Sequence, residues 1–440
     1  MGDWAVPRKK LTRREALRLL GKGALASTLL GASCARRKSV SAAVPAPPAL
    51  SDDQFLDQME QAASLFFWDR ASAATGQVMD RAYARGTTDT RTISSIAATG
   101  FGLAVLCIGA KRAYLPSAQI EARVRTTLNF IWSELPQQEG FFYHFVDMHT
   151  GRRLQRSELS SIDTAILMCG VLTCRQFFKN PEIRRLATQI YERVNWPWML
   201  NGSTTFSQGW TPESGFIRYR YDTYCELMML YLLAIGSPTF PVPASCWDAF
   251  ARPTISFDGY NYITGNAPLF THQFSHAWYD FHNKRDAYAN YFENSVTATQ
   301  AHKEFCLSLA GEFVDYDDNL WGVTASDSQN YGYVAWGGPP PMGPVDGSIV
   351  PCAAAGSLPF ASAECIAVLR NIREAYPDAW QVYSFVDAFN PMTGWYDRDV
   401  LGIDLGIATL MAENYRTGFV WKTFMSNPEA PAAMAAVGFK

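Results

Sequence analysis

A chain of 440 residues with 48% hydrophobic side chains can bury one very large core or two ordinary ones, so a disordered chain is excluded and a globular one expected. The formal net charge is −3. Outside the first 34 residues, 31 basic side chains face 39 acidic ones with no Lys/Arg-rich stripe, which argues against a nucleic acid as partner.

The N-terminus reads KKLTRREALRLLGKGALASTLLGASC, with paired Arg13 and Arg14, then a short, weakly apolar stretch ending in small residues before Cys34. This is the pattern of a twin-arginine export signal over residues 1–34, too short and too polar to span a bilayer as a mature helix. Gly31-Ala32-Ser33-Cys34 approximates a bacterial lipobox, with Gly where Leu is usual. Two outcomes are therefore expected: lipidation of Cys34 with membrane attachment, or simple cleavage nearby. Either way the protein is exported, to the periplasm or to a membrane anchor. Residues 35–51 read as a Pro/Ala-rich linker.

Eight further cysteines are Cys107, Cys169, Cys174, Cys225, Cys246, Cys306, Cys352 and Cys365. An even count in an exported chain invites disulfides. Most of them fall inside apolar helical runs, however, so buried free thiols are the better reading. The absence of any CxxC removes thioredoxin-like redox chemistry and zinc ribbons.

From residue 52 the spacing of apolar residues predicts helices over 52–68, 91–113, 117–134, 160–178, 181–194, 222–235, 285–309, 361–375, 378–387 and 404–416. Ser51-Asp52 and Ser160-Ser161 supply capping chemistry. Convincing strand alternation is scarce. Helices 91–113 and 160–178 are apolar nearly all round and need cover on several sides, while 117–134 and 181–194 are more polar and suit an outer layer. Alternating inner and outer helices with long loops predict an all-α helical toroid, an (α/α)6 barrel, as a single domain over 52–430 with a tail over 431–440. A helical solenoid competes less well, because no period near 34 residues is present.

The loops mix carboxylates with aromatics: EGFFYHFVDMHTGRR (139–153), QRSELSSIDTA (155–165), GWTPESGFIRYRYDTYCE (209–226), FTHQFSHAWYDFHN (270–283) and LWGVTASDSQNYGY (320–333). These residue types suit sugar binding, in which ring faces stack on Trp or Tyr and hydroxyls bond to Asp, Glu, Arg and His. His144, Trp210, Asp222 and Tyr224 are the candidates there. Any single Trp is more often core packing than ligand contact.

Glu226 is the sole charged residue between Thr223 and Trp247, at the head of an apolar run. An apolar wall disfavours the charged carboxylate, and a raised pKa is what a general acid needs at neutral pH. Taken alone, a first-turn Glu that complements the helix dipole is the commoner role. Glu158 and Asp163 flank the start of another inner helix and should share its rim. Together with Glu226 they supply the acid and the base or nucleophile of glycoside hydrolysis.

His272 and His276 in HQFSH have the i, i+4 spacing of a zinc site without the Glu of a zincin, so sugar contacts fit better than metal. VAWGGPPPMGPVDG (334–347) lacks the GK[ST] of a phosphate loop, and no G-x-S-x-G elbow is present. No spacing calls for a metal or cofactor.

The blocks FFWDRASAATGQVMDR (66–81), SSIAATGFGLAVLCIGA (94–110), ELSSIDTAILMCGVL (158–172), YCELMMLYLLAIGSPTFP (224–241), PLFTHQFSHAW (268–278), VPCAAAGSLPFA (350–361) and GIDLGIATLMAENYRTGFVWKTFMSNP (402–428) resemble the glycoamylase-like domain. That domain is shared by bacterial β-1,2-glucanases of glycoside hydrolase family 144 and by cyclic β-1,2-glucan synthases. The resemblance covers about residues 52–430. It implies an (α/α)6 barrel acting on β-glucans, most of all β-1,2-linked ones, with inversion. Glu226 matches the favoured general acid, and Glu158 and Asp163 match acids of the cleft. His272, His276, Trp278, Trp321, Asp327, Trp395, Asp404 and Glu413 fall in other family blocks. The chain departs at Phe240, where family members often carry His.

The leading expectation is an exported hydrolase of β-1,2-glucan, with a transglycosylase or a hydrolase of another β-glucoside next. A polysaccharide lyase would need a strongly basic cleft. A non-catalytic glycan-binding lipoprotein would use the same aromatics without turnover.

Overall fold

Ser51 opens the first helix, α1 (Asp52–Asp69), through a reciprocal capping box with Gln54. From there the chain of this computed structural model alternates between an outer and an inner layer. The structure describes residues 50–265, 268–337, 343 and 345–440, which form one compact unit; the expected export segment, Cys34 and the linker up to residue 49 lie outside the described residues.

The inner layer begins with α2 (Ile96–Arg112), followed by outer α3 (Ser117–Ser133), inner α4 (Ser161–Phe177) and outer α5 (Pro181–Glu192). After a short α6 (Trp196–Leu200) come inner α7 (Met228–Ile235) and an outer 3-10 turn over Ala244–Asp248. Two inner 3-10 turns, Leu269–His272 and Phe274–Ala277, precede outer α8 (Tyr291–Ser308). Inner α9 (Pro351–Ala355), outer α10 (Ser362–Ala375) and inner α11 (Gly402–Thr417) complete the ring, and α12 (Phe419–Phe424) and α13 (Glu429–Ala436) seal its end. Six inner and six outer positions make an (α/α)6 barrel. α11 packs against α2 and closes the circle.

Sequence explains which helices go inside. α2 is buried on every side from Ile96 to Gly109, so it lacks the polar stripe that an outer helix turns to water. Phe101, Leu103, Val105 and Ile108 are almost entirely buried, each contributing about 1.5–3 kcal/mol by removal from water. α2 and α4 cross closely, where Gly100 and Gly170 meet. A Cβ on Gly100 would stand 2.6 Å from the Ile166 carbonyl oxygen, so only glycine allows this crossing. α5 has the opposite character, with Ile183, Leu186, Ala187 and Ile190 inward and charged residues outward. All eight described cysteines are free thiols, seven of them buried; Cys107 and Cys174 face each other at 3.7 Å between α2 and α4.

Short antiparallel pairs crown one end of the ring. Ile93–Ser95 pairs with Phe145–Asp147 directly before α2, Leu159–Ser160 with Gly209–Thr211 before α4, and Asp399–Leu401 with Arg81–Tyr83 before α11. Ser95 and Ser160 end their strands and accept from the Ala98 and Asp163 N–H groups as N-caps. The rim therefore faces the N-termini of inner helices, whose dipoles favour negative side chains there.

Several boundaries differ from expectation. The helix expected over 222–235 begins only at Met228, because residues up to Leu227 are spent on a turn that places Glu226. The stretch 378–387 is not a helix: a 3-10 turn (Pro377–Ala379) leads into paired strands Trp380–Gln381 and Ser384–Phe385, and Ser384 takes a positive φ of 80° that no α-helix allows. Residues 431–440, read as a tail, continue α13 and bury Phe439 against Trp247.

Candidate active site

One wall of the rim is built by the ladder entering α4. His144 lies between two short strands, and its N–H donates to the Glu158 carbonyl at 2.9 Å. This brings His144 Nδ1 to 3.1 Å from Glu158 Oε1 and 3.6 Å from Asp163 Oδ2, while its ring stacks on Phe145 at 3.9 Å. Burial alone would depress the imidazole, but Asp163 and Glu158 hold its pKa up at about 9, so it is a cation at neutral pH. Burial pushes Glu158 up, and the His144 contact overcomes it and holds the carboxyl below the ordinary value.

Glu226 sits beside this group, in the turn before α7. Burial raises its pKa and Asp163 adds to the rise, against partial relief from backbone and Cys225 hydrogen bonds. Its own carbonyl accepts from Ser275 Oγ at 2.7 Å, which fixes the turn to the inner 3-10 segment. Tyr221, almost fully buried, has its phenol driven upward by burial and then by Glu226.

The facing wall is acidic as well. Arg81 bridges Asp80 at 2.8 Å and Asp327 at 2.6 Å, and Arg91 bridges Asp89 at 2.6 Å and Asp399 at 2.7 Å. A cavity of about 250 Å³ is lined by Asp80, Arg81 and Arg91 of this wall and by Ile93, Phe145 and Gln155, Phe145 being the residue on which the His144 ring stacks. Behind Arg81, the Asp327 N–H donates to Asp387 Oδ2 at 2.7 Å. Asp387 and Asp404 are buried together, and burial, with Asp404 next, pushes Asp387 far up. Burial likewise raises Asp404. Asp397 rises to about 7 through burial and the nearby Asp327. Carboxylates this close cannot all ionise.

Two groups have the spacing of metal ligands among the described residues, His144–Glu158–Asp163 and Asp327–Asp387–Asp397, each with ligand atoms within 4.8 Å of one another. Each already holds its own cation, the His144 imidazolium and the Arg81 guanidinium. The arrangement is that of a proton-transfer site more than a metal cage.

Glu226, Glu158, Asp163 and His144 are thus brought together, with Trp210 half-buried opposite Leu159 at their edge; the expectation of Glu158 or Asp163 as a base on the side opposite Glu226 is not what this arrangement shows. Asp327 and Asp404 join the facing wall, and Trp395 lines a groove next to Asp397. Other candidates lie elsewhere. Tyr224, His272, His276, Trp278 and Trp321 are in the packed interior, each at most 3% exposed, where they hold rim segments and cannot line a cleft. The Tyr224 hydroxyl meets His272 Nδ1 at 3.5 Å, and His276 Nε2 meets Ser295 Oγ at 3.1 Å. Burial lowers both histidines to about 3, so they stay neutral. Asp222 is exposed on the surface, where its carboxylate accepts from the Thr223 hydroxyl at 3.3 Å. Glu413 lies at the C-terminal end of α11, ion-paired to Lys111 at 2.6 Å and Arg112 at 2.7 Å.

Residues not expected from sequence are Asp80, Arg81, Asp387, Asp397, Tyr221 and Tyr333. Tyr333 stands directly opposite Asp327 on the hairpin 325–335, so the two side chains share the face that meets Arg81. The residue as a whole is 47% exposed, while burial of its hydroxyl, with Asp404 and Asp387 next, pushes the phenol up. The signal was the alternation S-D-S against Y-G-Y-V, too short to register.

The sequence model of the Glycoamylase family matches residues 218–428. An exo β-1,2-glucooligosaccharide sophorohydrolase (non-reducing end) of Parabacteroides distasonis is 27% identical over 423 residues, 86% of this chain; the chain spans only 57% of that protein's length. The structure of an endo-β-1,2-glucanase from Chitinophaga pinensis, with sophorotriose and glucose, is similar at a TM-score of 0.81 and 27% identity, covering 89% of this chain and 99% of that one. A β-1,2-glucanase structure from Parabacteroides distasonis is similar at a TM-score of 0.81 and 25% identity, covering 89% of this chain and 60% of that one.

Proposed function

We propose that this chain, whose residues 218–428 match the Glycoamylase family model and which is similar to β-1,2-glucanases, hydrolyses β-1,2-glucan or its oligosaccharides. The observation that carries the mechanism is Glu226: a carboxyl raised by burial and by Asp163, beside carboxylates neutralised by an imidazolium. Protonated Glu226 donates to the glycosidic oxygen as the C1–O bond breaks. Of the facing carboxyls, Asp397 has the pKa suited to a base near neutrality. It takes a proton from the water whose oxygen bonds to C1, so the anomeric configuration inverts. Glu158 and Asp163, expected from sequence as base candidates, act through His144 to hold the wall's charge, and the open ring of Tyr333 supplies a stacking face for a glucosyl unit.

The test is incubation with linear β-1,2-, β-1,3-, β-1,4- and β-1,6-glucans, reading reducing ends and product sizes. Release from the β-1,2 polymer alone is expected; silence on all four would return weight to a lyase or a binding protein. Export is part of the same proposal, supported by the Arg13–Arg14 pattern. Fractionation of the parent and a Cys34→Ser variant tests it, and an anchored variant would remove lipidation from the account.

A further inference from the structure

A groove begins where the acidic wall ends. It has a volume of about 600 Å³ and meets that wall at Asp397. Its sides are Tyr83, Trp395, Tyr396, Arg85, Arg398 and Gln381. Tyr83 is fixed between two guanidinium groups, Arg91 at 4.4 Å and Arg398 at 5.5 Å from its ring centre. Tyr396 is stacked flat on Phe389 at 5.5 Å, and Trp395 stands half-buried at the tip of the hairpin that carries both. Arg81 and Tyr83 alternate along one strand and so share a face, which makes the groove continuous with the side of the cleft that Arg81 occupies.

This is a preformed surface of rigid aromatics with guanidinium, amide and carboxylate groups around it. Aromatic faces take the apolar C–H faces of sugar rings, and forked donors take vicinal hydroxyls. The volume falls within the range of about 300–1,000 Å³ that encloses a ligand of drug size, which is the size of a di- or trisaccharide. We propose that the groove of Trp395, Tyr396 and Arg398 is a distal glycan-binding site that holds further glucosyl units of the chain whose cleaved bond lies at the acidic walls. The proposal rests on the glucanase reading for its substrate. Its consequence is length dependence, since only a chain long enough to leave the cleavage point and enter the groove gains the added contacts.

The experiment is kcat/KM for the full protein on β-1,2-gluco-oligosaccharides of increasing length, with Trp395→Ala and Arg398→Ala beside the parent. Trp395 is partly exposed on the hairpin and Arg398 is exposed just after it, and thermal melting checks the fold. For the parent, kcat/KM should rise with length; in each variant the rise should flatten, with about a tenfold larger loss, mostly in KM, on the longest substrate than on the shortest. An equal loss at every length, or none, would overturn the groove as a distal site. If no β-1,2-linked substrate is cleaved, the glucanase reading fails separately, and calorimetric titration of the parent and Trp395→Ala with the four linear glucans decides the groove: weaker binding of any of them by the variant upholds it, while unchanged binding, or none by the parent, overturns it.

Discussion

His144 and Glu158 meet at 3.1 Å across a rim where the chain passes from strand into inner helix, and each holds the other charged. With Asp163 at 3.6 Å, the imidazole carries a proton well beyond the ordinary range. The folded protein binds that proton more tightly than the unfolded chain, so the pair stabilises fully below about pH 6.5 and loses its effect as pH rises through about 9. Comparing His144→Gln with the parent by thermal melting from pH 6 to 10 should show the parent's advantage, about 1–3 kcal/mol, shrinking over that window. A constant difference would show that the imidazole is neutral.

As the proposed base, Asp397 should set the acid limb of activity. A base must be ionised, so kcat/KM should rise with pH through about 7. Asp397→Asn should lower kcat by about 10²- to 10⁴-fold and remove the acid limb. A variant with the limb intact would move the base elsewhere in the wall.

Tyr333, paired with Asp327 across the hairpin and partly exposed, is the stacking contact proposed for a glucosyl unit. Tyr333→Ala should raise KM by about fivefold, the worth of roughly 1 kcal/mol of aromatic contact, while Tyr333→Phe keeps most of the affinity. Equal losses in the two variants would assign the effect to the hydroxyl.

The crossing of α2 and α4 tolerates nothing larger than hydrogen at Gly100. Gly100→Ala puts a Cβ 2.6 Å from the Ile166 carbonyl, and the helices must separate. Unfolding by urea should show a loss of about 3 kcal/mol or failure to fold, and a loss under 1 kcal/mol would mean that the crossing is soft.

The barrel was legible because its information is local and repeated: long apolar runs such as 96–109 admit one placement, and Ser51 and Ser160 mark helix starts. The His144 wall was legible in part because its acids sit at helix starts. The facing wall was legible only at Asp327 and Asp404, since Arg81, Asp387 and Asp397 come from separate segments joined by ladders two to four residues long, too brief for a period. Buried aromatics misled for the reverse reason: Trp278 and His276 have sugar-binding chemistry, and only packing against Phe101 and Ser295 shows that they are core.

The central claim is that Glu226 gives its proton to the departing sugar, and leaving-group dependence tests it most directly. Glu226→Gln should lower kcat on β-1,2-glucan by about 10²- to 10⁴-fold, yet lose far less on an aryl β-1,2-glucoside whose leaving group needs no proton. Normal turnover of glucan, or an equal loss on both substrates, would contradict the assignment.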